Sequence, residues 1–109
     1  MHSLVNGYAH AIETNNLELA LWYIHPRSPT RSEIDAGLRG QLSAYLEKAR
    51  IAHLEPVEQP DGTPAARVDQ QLVRVFGLKI LHAERSSVFH FRALGESWRI
   101  WGIDKLCTD

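Results

Sequence analysis

The period of the hydrophobic pattern changes once along the chain, and this change constrains the fold more than any other feature. Before about residue 49, apolar side chains recur every three or four residues, as on helices, and after it they form runs typical of strands. Helices and strands in separate blocks characterise α+β domains, in which the helices cover one face of an antiparallel sheet. A chain of 109 residues has room for one such domain, so we predict a single domain over residues 1–109.

The helical half contains three predicted helices. The first two share an apolar stripe made of Leu4, Val5, Tyr8, Ile12, Leu17, Ala20, Leu21 and Ile24. Asn15-Asn16 separates them, and a short polar side chain there predicts an N-cap for the second helix. His25-Pro26 ends that helix because the residue before a proline disfavours helical angles. A third helix is predicted from Thr30 to Leu46, since Thr30-Arg31-Ser32-Glu33 has capping-box spacing.

The second half predicts a meander of about four antiparallel strands. They cover residues 51–58, 65–76, 78–94 and 98–106, with turns supplied by Pro60-Asp61-Gly62 and Gly95-Glu96. On the long third strand, His82 and His90 have the same alternation parity as Glu84 and Arg92. These four side chains are therefore expected to form one polar patch, unless a kink at Ser86-Ser87 breaks the alternation.

The last strand is apolar on both of its predicted faces. Strict alternation places Trp98, Ile100, Gly102 and Asp104 on one face and Trp101, Ile103 and Lys105 on the other. Three helices cover only one face of a sheet, so the second apolar face needs a partner. We predict a homodimer joined sheet to sheet, with Trp101 and Ile103 in its interface.

Charge, hydropathy and cysteine usage exclude several classes of partner. Twelve Lys and Arg residues against thirteen Asp and Glu give a net charge of −1, with no basic cluster, which argues against nucleic acid. The compact apolar run at 20–24 is far shorter than the roughly 20 residues of a membrane span. The lone Cys107 excludes an intrachain disulfide and fits a reducing compartment, so we predict a cytoplasmic protein in which this thiol fills space.

Two segments resemble the NTF2-like superfamily, which includes ketosteroid isomerases and SnoaL-type polyketide cyclases. Residues 8–18, YAHAIETNNLE, are similar to the family's first helix, polar break and second helix. Residues 95–101, GESWRIW, are similar to the glycine turn and Trp-Lys/Arg-Ile pattern that begins its last strand. The resemblance implies a cystatin-like cone: three N-terminal helices on a curved antiparallel sheet, with a pocket between the sheet and helix one. Neither motif is catalytic, so the resemblance indicates the fold rather than the function.

The resemblance also suggests candidate site residues. Tyr8 occupies the place in helix one where ketosteroid isomerases carry their oxyanion-hole tyrosine, but the stretch 25–30, where those enzymes carry a carboxylate base, contains no acid. Candidate catalytic residues are Tyr8, His90 and Asp104. The candidate ligand-binding residues are Tyr8, Ile12, Trp22, Trp98 and Asp104. For each polar candidate the alternative is structural: a core tyrosine, a solvated aspartate, or a histidine that packs or caps. No cofactor is implied, and the histidine spacing does not predict a metal site.

Two classes of function remain open at this point. The favoured hypothesis is a non-catalytic dimeric module for binding or protein interaction, because the acid of an isomerase site is missing. The alternative is a lyase or isomerase that acts by acid–base chemistry on a small apolar molecule in the pocket. The decisive observation is whether the space between helix one and the sheet is open or filled by side chains.

Overall fold

The computed structural model describes residues 2–106 and shows three helices followed by four strands. Their bounds are α1 His2–Glu13, α2 Leu17–Trp22, α3 Arg31–Ala44, β1 Leu46–Val57, β2 Ala65–Phe76, β3 Lys79–Leu94 and β4 Ser97–Lys105. The strands form one antiparallel sheet in the order β1-β2-β3-β4. The predicted α+β class and meander are confirmed. Cys107 lies outside the described residues, so its predicted role stays a prediction.

The boundary between α3 and β1 is earlier than the sequence predicted. α3 ends at Ala44, and Tyr45 is already extended, with φ −160° and ψ 164°. Residues 46–50, which the apolar spacing assigned to the helix end and a loop, pair in register with residues 71–75 of β2. Long-range pairing with β2 therefore overrides the local helical spacing.

Two tight hairpins join the last three strands, and the one at Gly95-Glu96 confirms the predicted turn. The β2–β3 and β3–β4 loops contain two residues each, and both begin with glycine, Gly77 and Gly95. Their φ angles are +60° and +62°, a backbone conformation that is unfavourable for residues with a Cβ atom but not for glycine. The rotation at these glycines matches the right-handed twist of the flanking strands, which is the general reason for their preference in such turns.

One of the two predicted helix caps is confirmed and the other is wrong. The Asn16 side chain accepts a hydrogen bond from the backbone N–H of Leu19, at 3.1 Å, and so caps α2. Thr30 is the N-cap residue of α3, but its side chain makes no capping hydrogen bond. The Thr30 hydroxyl instead lies 3.3 Å from the Ser28 hydroxyl, because the loop before α3 turns its side chain towards that residue.

The hydrophobic core lies between the three helices and one face of the sheet, which we call the inner face. It contains Val5, Tyr8, Ala11, Ile12, Ala20, Ile24, Leu38, Ala66, Val68, Phe89, Phe91 and Ile100. The helical members come from the apolar stripe of α1 and α2, with Leu38 from α3. The opposite face of the sheet, the outer face, carries no helix in residues 2–106.

A β-bulge at Trp101 reverses the alternation of β4. His90 of β3 pairs with Gly102 and the next residue, Phe91, pairs with Ile100, so Trp101 is the extra residue. Ile103 therefore lies on the inner face beside Phe89, and it packs against the core. The predicted placement of Ile103 on the outer face with Trp101 is wrong, because strict alternation does not anticipate a bulge.

The segment after α2 pairs with the free edge of β4. The backbone N–H of His25 donates to the carbonyl of Ile100, and the N–H of Ile100 donates to the carbonyl of Tyr23, both at 2.8 Å. The Ser28 hydroxyl donates to the carbonyl of Trp101, the bulged residue. This edge is therefore covered by the chain itself, while β1 forms the other edge of the sheet.

Candidate functional site

A cavity of about 790 Å³ lies between α1, α3 and the inner face of the sheet, and we call it the inner chamber. Its apolar walls include Ile12, Ile34, Leu38, Phe89 and Ile103. Its polar lining includes Tyr8, Gln41, Glu47, Arg85 and Ser87. The space between helix one and the sheet is therefore open, and its wall is apolar with one polar side, as in most small-molecule sites.

The polar side is built around the buried carboxylate of Glu47, whose side chain is only 1 % exposed. Oε1 accepts a hydrogen bond from Nε of Arg74 at 3.0 Å. Oε2 accepts from Nε2 of Gln41 at 3.2 Å and lies 3.6 Å from a guanidinium nitrogen of Arg85. A buried charge is stable only when it is paired and hydrogen-bonded, so these three donors explain how Glu47 is accommodated.

Arg85 is the cation on the partly buried wall of the chamber, and Lys105 lies at the exposed side of the chamber. Nε and one terminal nitrogen of Arg85 donate to Oε1 of Gln70, at 3.3 and 3.0 Å, and this amide is buried. Two hydrogen bonds to one buried oxygen fix the plane of the guanidinium. Because Arg74 and Arg85 share a single carboxylate, this cluster carries a net positive charge, and its chamber side favours an anion or a polarised carbonyl.

Tyr8 projects from α1 into the same region. Its ring meets Phe89 edge to face, with centroids 6.3 Å apart at 75°. Burial raises the pKa of Tyr8 to about 12, while Arg85 lowers this pKa and Glu47 raises it. The hydroxyl is therefore protonated throughout the physiological range and can donate a hydrogen bond to a ligand oxygen.

The raised pKa predicts a loss of stability in alkali. Neutral Tyr8 is favoured in the folded state, so its contribution is complete below the unfolded pKa of 10 and is lost as the pH rises towards 12. At pH 11 this amounts to about 1.4 kcal/mol, the value of one pKa unit. Tyr8→Phe removes the effect, so its free energy of unfolding relative to wild type should improve by that amount between pH 8 and pH 11 in urea melts. An equal difference in the free energy of unfolding between Tyr8→Phe and wild type at both pH values would show that the pKa of Tyr8 is not raised by folding.

The candidate residues are divided among three places. Tyr8 and Ile12 line the inner chamber, as expected. Trp22 and Trp98 line a separate cleft of about 580 Å³ at the end of the fold where β4 begins. Trp101 is half-buried at the β4 edge, where its ring contacts His25 edge to face at 5.0 Å and lies 3.8 Å below Cζ of Arg92.

His90 and Asp104 come together, but away from Tyr8. Nε2 of His90 is 2.7 Å from Oδ2 of Asp104, and the aspartate side chain is 73 % exposed. Asp104 contributes to the rim of the inner chamber, yet its carboxylate turns to the outer face because the bulge at Trp101 reverses β4. The expected grouping of Asp104 with Trp98 on one face is therefore wrong.

The charged cluster of Glu47, Arg74, Arg85 and Gln70 was not predicted from the sequence. Glu47 lies between the predicted end of the third helix at Leu46 and the predicted start of the first strand at Ile51, so its place on an inner strand face was not considered. The signal that identifies the other residues is a polar side chain at a strand position whose alternation places it on the inner face. Gln70 alternates with Ala66 and Val68, and Arg85 alternates with Phe89, which it precedes by four residues. Gln70 and Arg85 are direct cross-strand partners. Their register, rather than either residue alone, marks the site.

Residues 2–106 contain neither a cluster of metal ligands nor a helix that could span a membrane. No group of three or more His, Asp or Glu side chains in this range is arranged to hold a metal ion. None of its three helices is long and apolar enough to cross a membrane.

Comparison with known proteins identifies the fold through structure alone. No family model and no curated protein sequence matches the chain. The β subunit of benzoate 1,2-dioxygenase from Burkholderia mallei has a TM-score of 0.75 at 9% identity, covering 95% of this chain and 85% of that chain. Aln2 from a Streptomyces species has 0.74 at 12% identity, covering 96% and 86%. An NTF-2 like protein of unknown function from Shewanella oneidensis has 0.62 at 12% identity, covering 94% and 93%.

Three helices on one face of a four-stranded antiparallel meander define a small α+β domain. The fold is the NTF2-like fold, as the resemblance of the two sequence segments implied. At these identities the likeness concerns the fold and not the activity.

Proposed function

We propose that this chain is a non-catalytic binding domain whose inner chamber holds a small amphipathic molecule. The apolar body of the ligand lies against Ile12, Phe89 and Ile103, and its oxygen-bearing end faces Arg85 and Tyr8. The observation that carries this proposal is a fixed guanidinium and a protonated phenol on the wall of a cavity of about 790 Å³ that also has an apolar side. Burial of the apolar body supplies most of the affinity, and the two donors set orientation.

Binding is favoured over turnover because the chamber's buried carboxylate is already engaged. Glu47 accepts hydrogen bonds from Arg74 and Gln41 and lies beside Arg85, so each of its oxygens already faces a donor and its negative charge is compensated. The stretch 25–30, where ketosteroid isomerases carry their base, holds no acid. These two features support a site that orients a ligand without moving its protons.

The test is a thermal-shift screen with steroids, terpenoids and polyketide fragments, each as a carboxylate and as its matched alcohol. Carboxylates should stabilise the protein more than the alcohols. Arg85→Gln should erase that difference, and Tyr8→Phe should weaken binding about tenfold or more, the usual value of a hydrogen bond to a charged group. Arg67→Gln, at an exposed position of β2, is the matched control and should change nothing. Failure of every probe, or indifference to Arg85→Gln, would refute the proposal.

Acid–base catalysis remains the second candidate, because the Tyr8 hydroxyl is a donor suited to a developing oxyanion. The discriminating measurement is exchange of the α-protons of a bound ketone with D2O, followed by NMR. If the protein only binds the ketone, the α-protons should exchange at the same rate as in the ketone without protein. Accelerated exchange that Tyr8→Phe abolishes would establish an enzyme instead.

We further propose that the domain is a homodimer joined through its outer face, with Trp101 in the interface. Trp101 is only half-buried in one chain, and its ring is held between His25 and Arg92, so an indole edge is presented at the β4 side of that face. Sedimentation at micromolar concentration should give a dimer for wild type and a monomer for Trp101→Glu. Trp98→Glu, which changes the separate cleft, should remain dimeric. A monomeric wild type would exclude this assembly.

A further inference from the structure

The cleft that contains Trp22 and Trp98 is a second cavity, independent of the inner chamber. It holds about 580 Å³ at the end of the fold where α1 and β4 begin and α2 ends. The side chains of the two tryptophans are exposed, and these residues retain 54 % and 47 % of their accessible surface, while Phe91 beneath them is buried. No lining residue is shared with the inner chamber. We call this cavity the tryptophan cleft.

One cation stands at the edge of the tryptophan cleft. Cζ of Arg99 lies 3.8 Å from the centre of the Trp22 ring, a cation–π contact. One terminal nitrogen of Arg99 donates to the Ser97 hydroxyl at 2.9 Å and to the Trp98 carbonyl at 3.0 Å. The guanidinium is thereby held against the Trp22 indole and hydrogen-bonded to the strand that carries Trp98.

The lining of the tryptophan cleft carries positive charge and, among the residues that the structure describes, no negative charge. Its nine residues, drawn from the described part of the chain, include Arg99 as the one charged group and no carboxylate. Ser3, Ser97 and Tyr23 carry hydroxyls, and the other side chains of the lining are aromatic or aliphatic. An aromatic wall beside an unshared guanidinium complements a flat ring that carries a negative charge.

We propose that the tryptophan cleft binds a planar aromatic carboxylate, with its ring against the indoles of Trp22 and Trp98 and its carboxylate on Arg99. The forked guanidinium suits a carboxylate because it presents parallel donors to the two oxygens. Exposed aromatic surface of this size is removed from water when the ring docks, so ring and charge contribute together. This site is separate from the proposed ligand of the inner chamber.

The experiment is isothermal titration of 2-naphthoate, with 2-naphthylmethanol and cyclohexanecarboxylate as probes that lack the charge or the aromatic ring. Naphthoate should bind, and each comparison probe should bind at least tenfold more weakly. Arg99→Gln should lower naphthoate affinity about tenfold or more, as expected for one lost charged hydrogen bond, and Trp98→Ala should abolish binding. Trp101→Phe is the matched control and should bind as wild type does.

The outcomes also separate this site from the inner chamber. Arg85→Gln should leave naphthoate binding unchanged, and intrinsic fluorescence of the Arg85→Gln protein should still be quenched as the ligand covers Trp22 and Trp98. Loss of binding in Arg85→Gln but not in Arg99→Gln would overturn the proposal by placing the ligand in the chamber. No binding at millimolar naphthoate would overturn the proposal by showing that the cleft binds no aromatic carboxylate. A change of oligomeric state in Trp98→Ala would overturn it by showing that Trp98 belongs to a contact between protein chains.

Discussion

Arg74→Met is expected to lower the free energy of unfolding by about 3 kcal/mol, since breaking one partner from a buried ion pair typically costs about 3–5 kcal/mol. The substitution removes the 3.0 Å hydrogen bond to Oε1 of Glu47, whose side chain is 1 % exposed. Gln41 and Arg85 still face Oε2, which sets the loss at the lower end of that range. Urea denaturation followed by circular dichroism measures the change.

A second substitution identifies the origin of this loss. Combining Arg74→Met with Glu47→Leu removes the orphaned carboxylate, so the double variant should be more stable than Arg74→Met alone. The control is Arg67→Met on an exposed pair, where Nε of Arg67 lies 3.4 Å from Oδ1 of Asp69 and the loss should stay under about 1 kcal/mol. Equal losses for Arg74→Met and Arg67→Met would show that Glu47 is hydrated and not buried.

Gly7→Ala is expected to destabilise the protein by about 2 kcal/mol, although alanine is the better helix former. A Cβ at position 7 of α1 would overlap the ring of Tyr23, and forcing a methyl group into a packed site costs about 1–3 kcal/mol. The Tyr23 ring packs edge to face with Trp22, with centroids 5.1 Å apart, and the hydrogen bond from Ile100 to the Tyr23 carbonyl fixes the backbone that carries the ring. The glycine is therefore required for the close approach of α1 to the segment after α2.

The sign of this effect should reverse when the ring is removed. In a Tyr23→Ala background, Gly7→Ala should stabilise the protein by up to about 1 kcal/mol, the difference in helix propensity. Gly37→Ala is the matched control within α3, where a Cβ meets nothing within 4 Å, and it should be stabilising in wild type. A thermodynamic cycle with no coupling between positions 7 and 23 would contradict the predicted overlap.

The charged cluster and the tight helix approach share a property that limits prediction from sequence. Glu47 and Arg74 are 27 positions apart, and Gly7 and Tyr23 belong to different elements. A periodic pattern reports which face of its own element a residue occupies, but it does not report the register between elements. Both contacts depend on how the elements are placed against each other, so neither contact can be predicted from the sequence pattern of one element.

Local chemistry determined a substantial part of this protein in advance. The change of hydrophobic period indicated the α+β class, Gly95 indicated the last tight hairpin, and Asn16 indicated the cap of α2. The strand at 65–76 has the predicted bounds because its β-branched residues and flanking turns agree with its pairing. Tyr8 lies on the wall of the inner chamber, since α1 presents its apolar stripe to the sheet.

Only the tertiary structure decided which side chains form each site. The bulge at Trp101 moved Ile103 inward and turned the Asp104 carboxylate outward, because β4 follows its pairing with β3 and with the segment after α2. The same pairing draws the N-terminal end of β4 towards α2, so Trp98 joins Trp22 in a cleft of its own. Short-range propensity in the sequence determines where helices and strands form. The position of a bulge, such as the extra residue Trp101 in β4, is determined by contacts between residues distant in sequence.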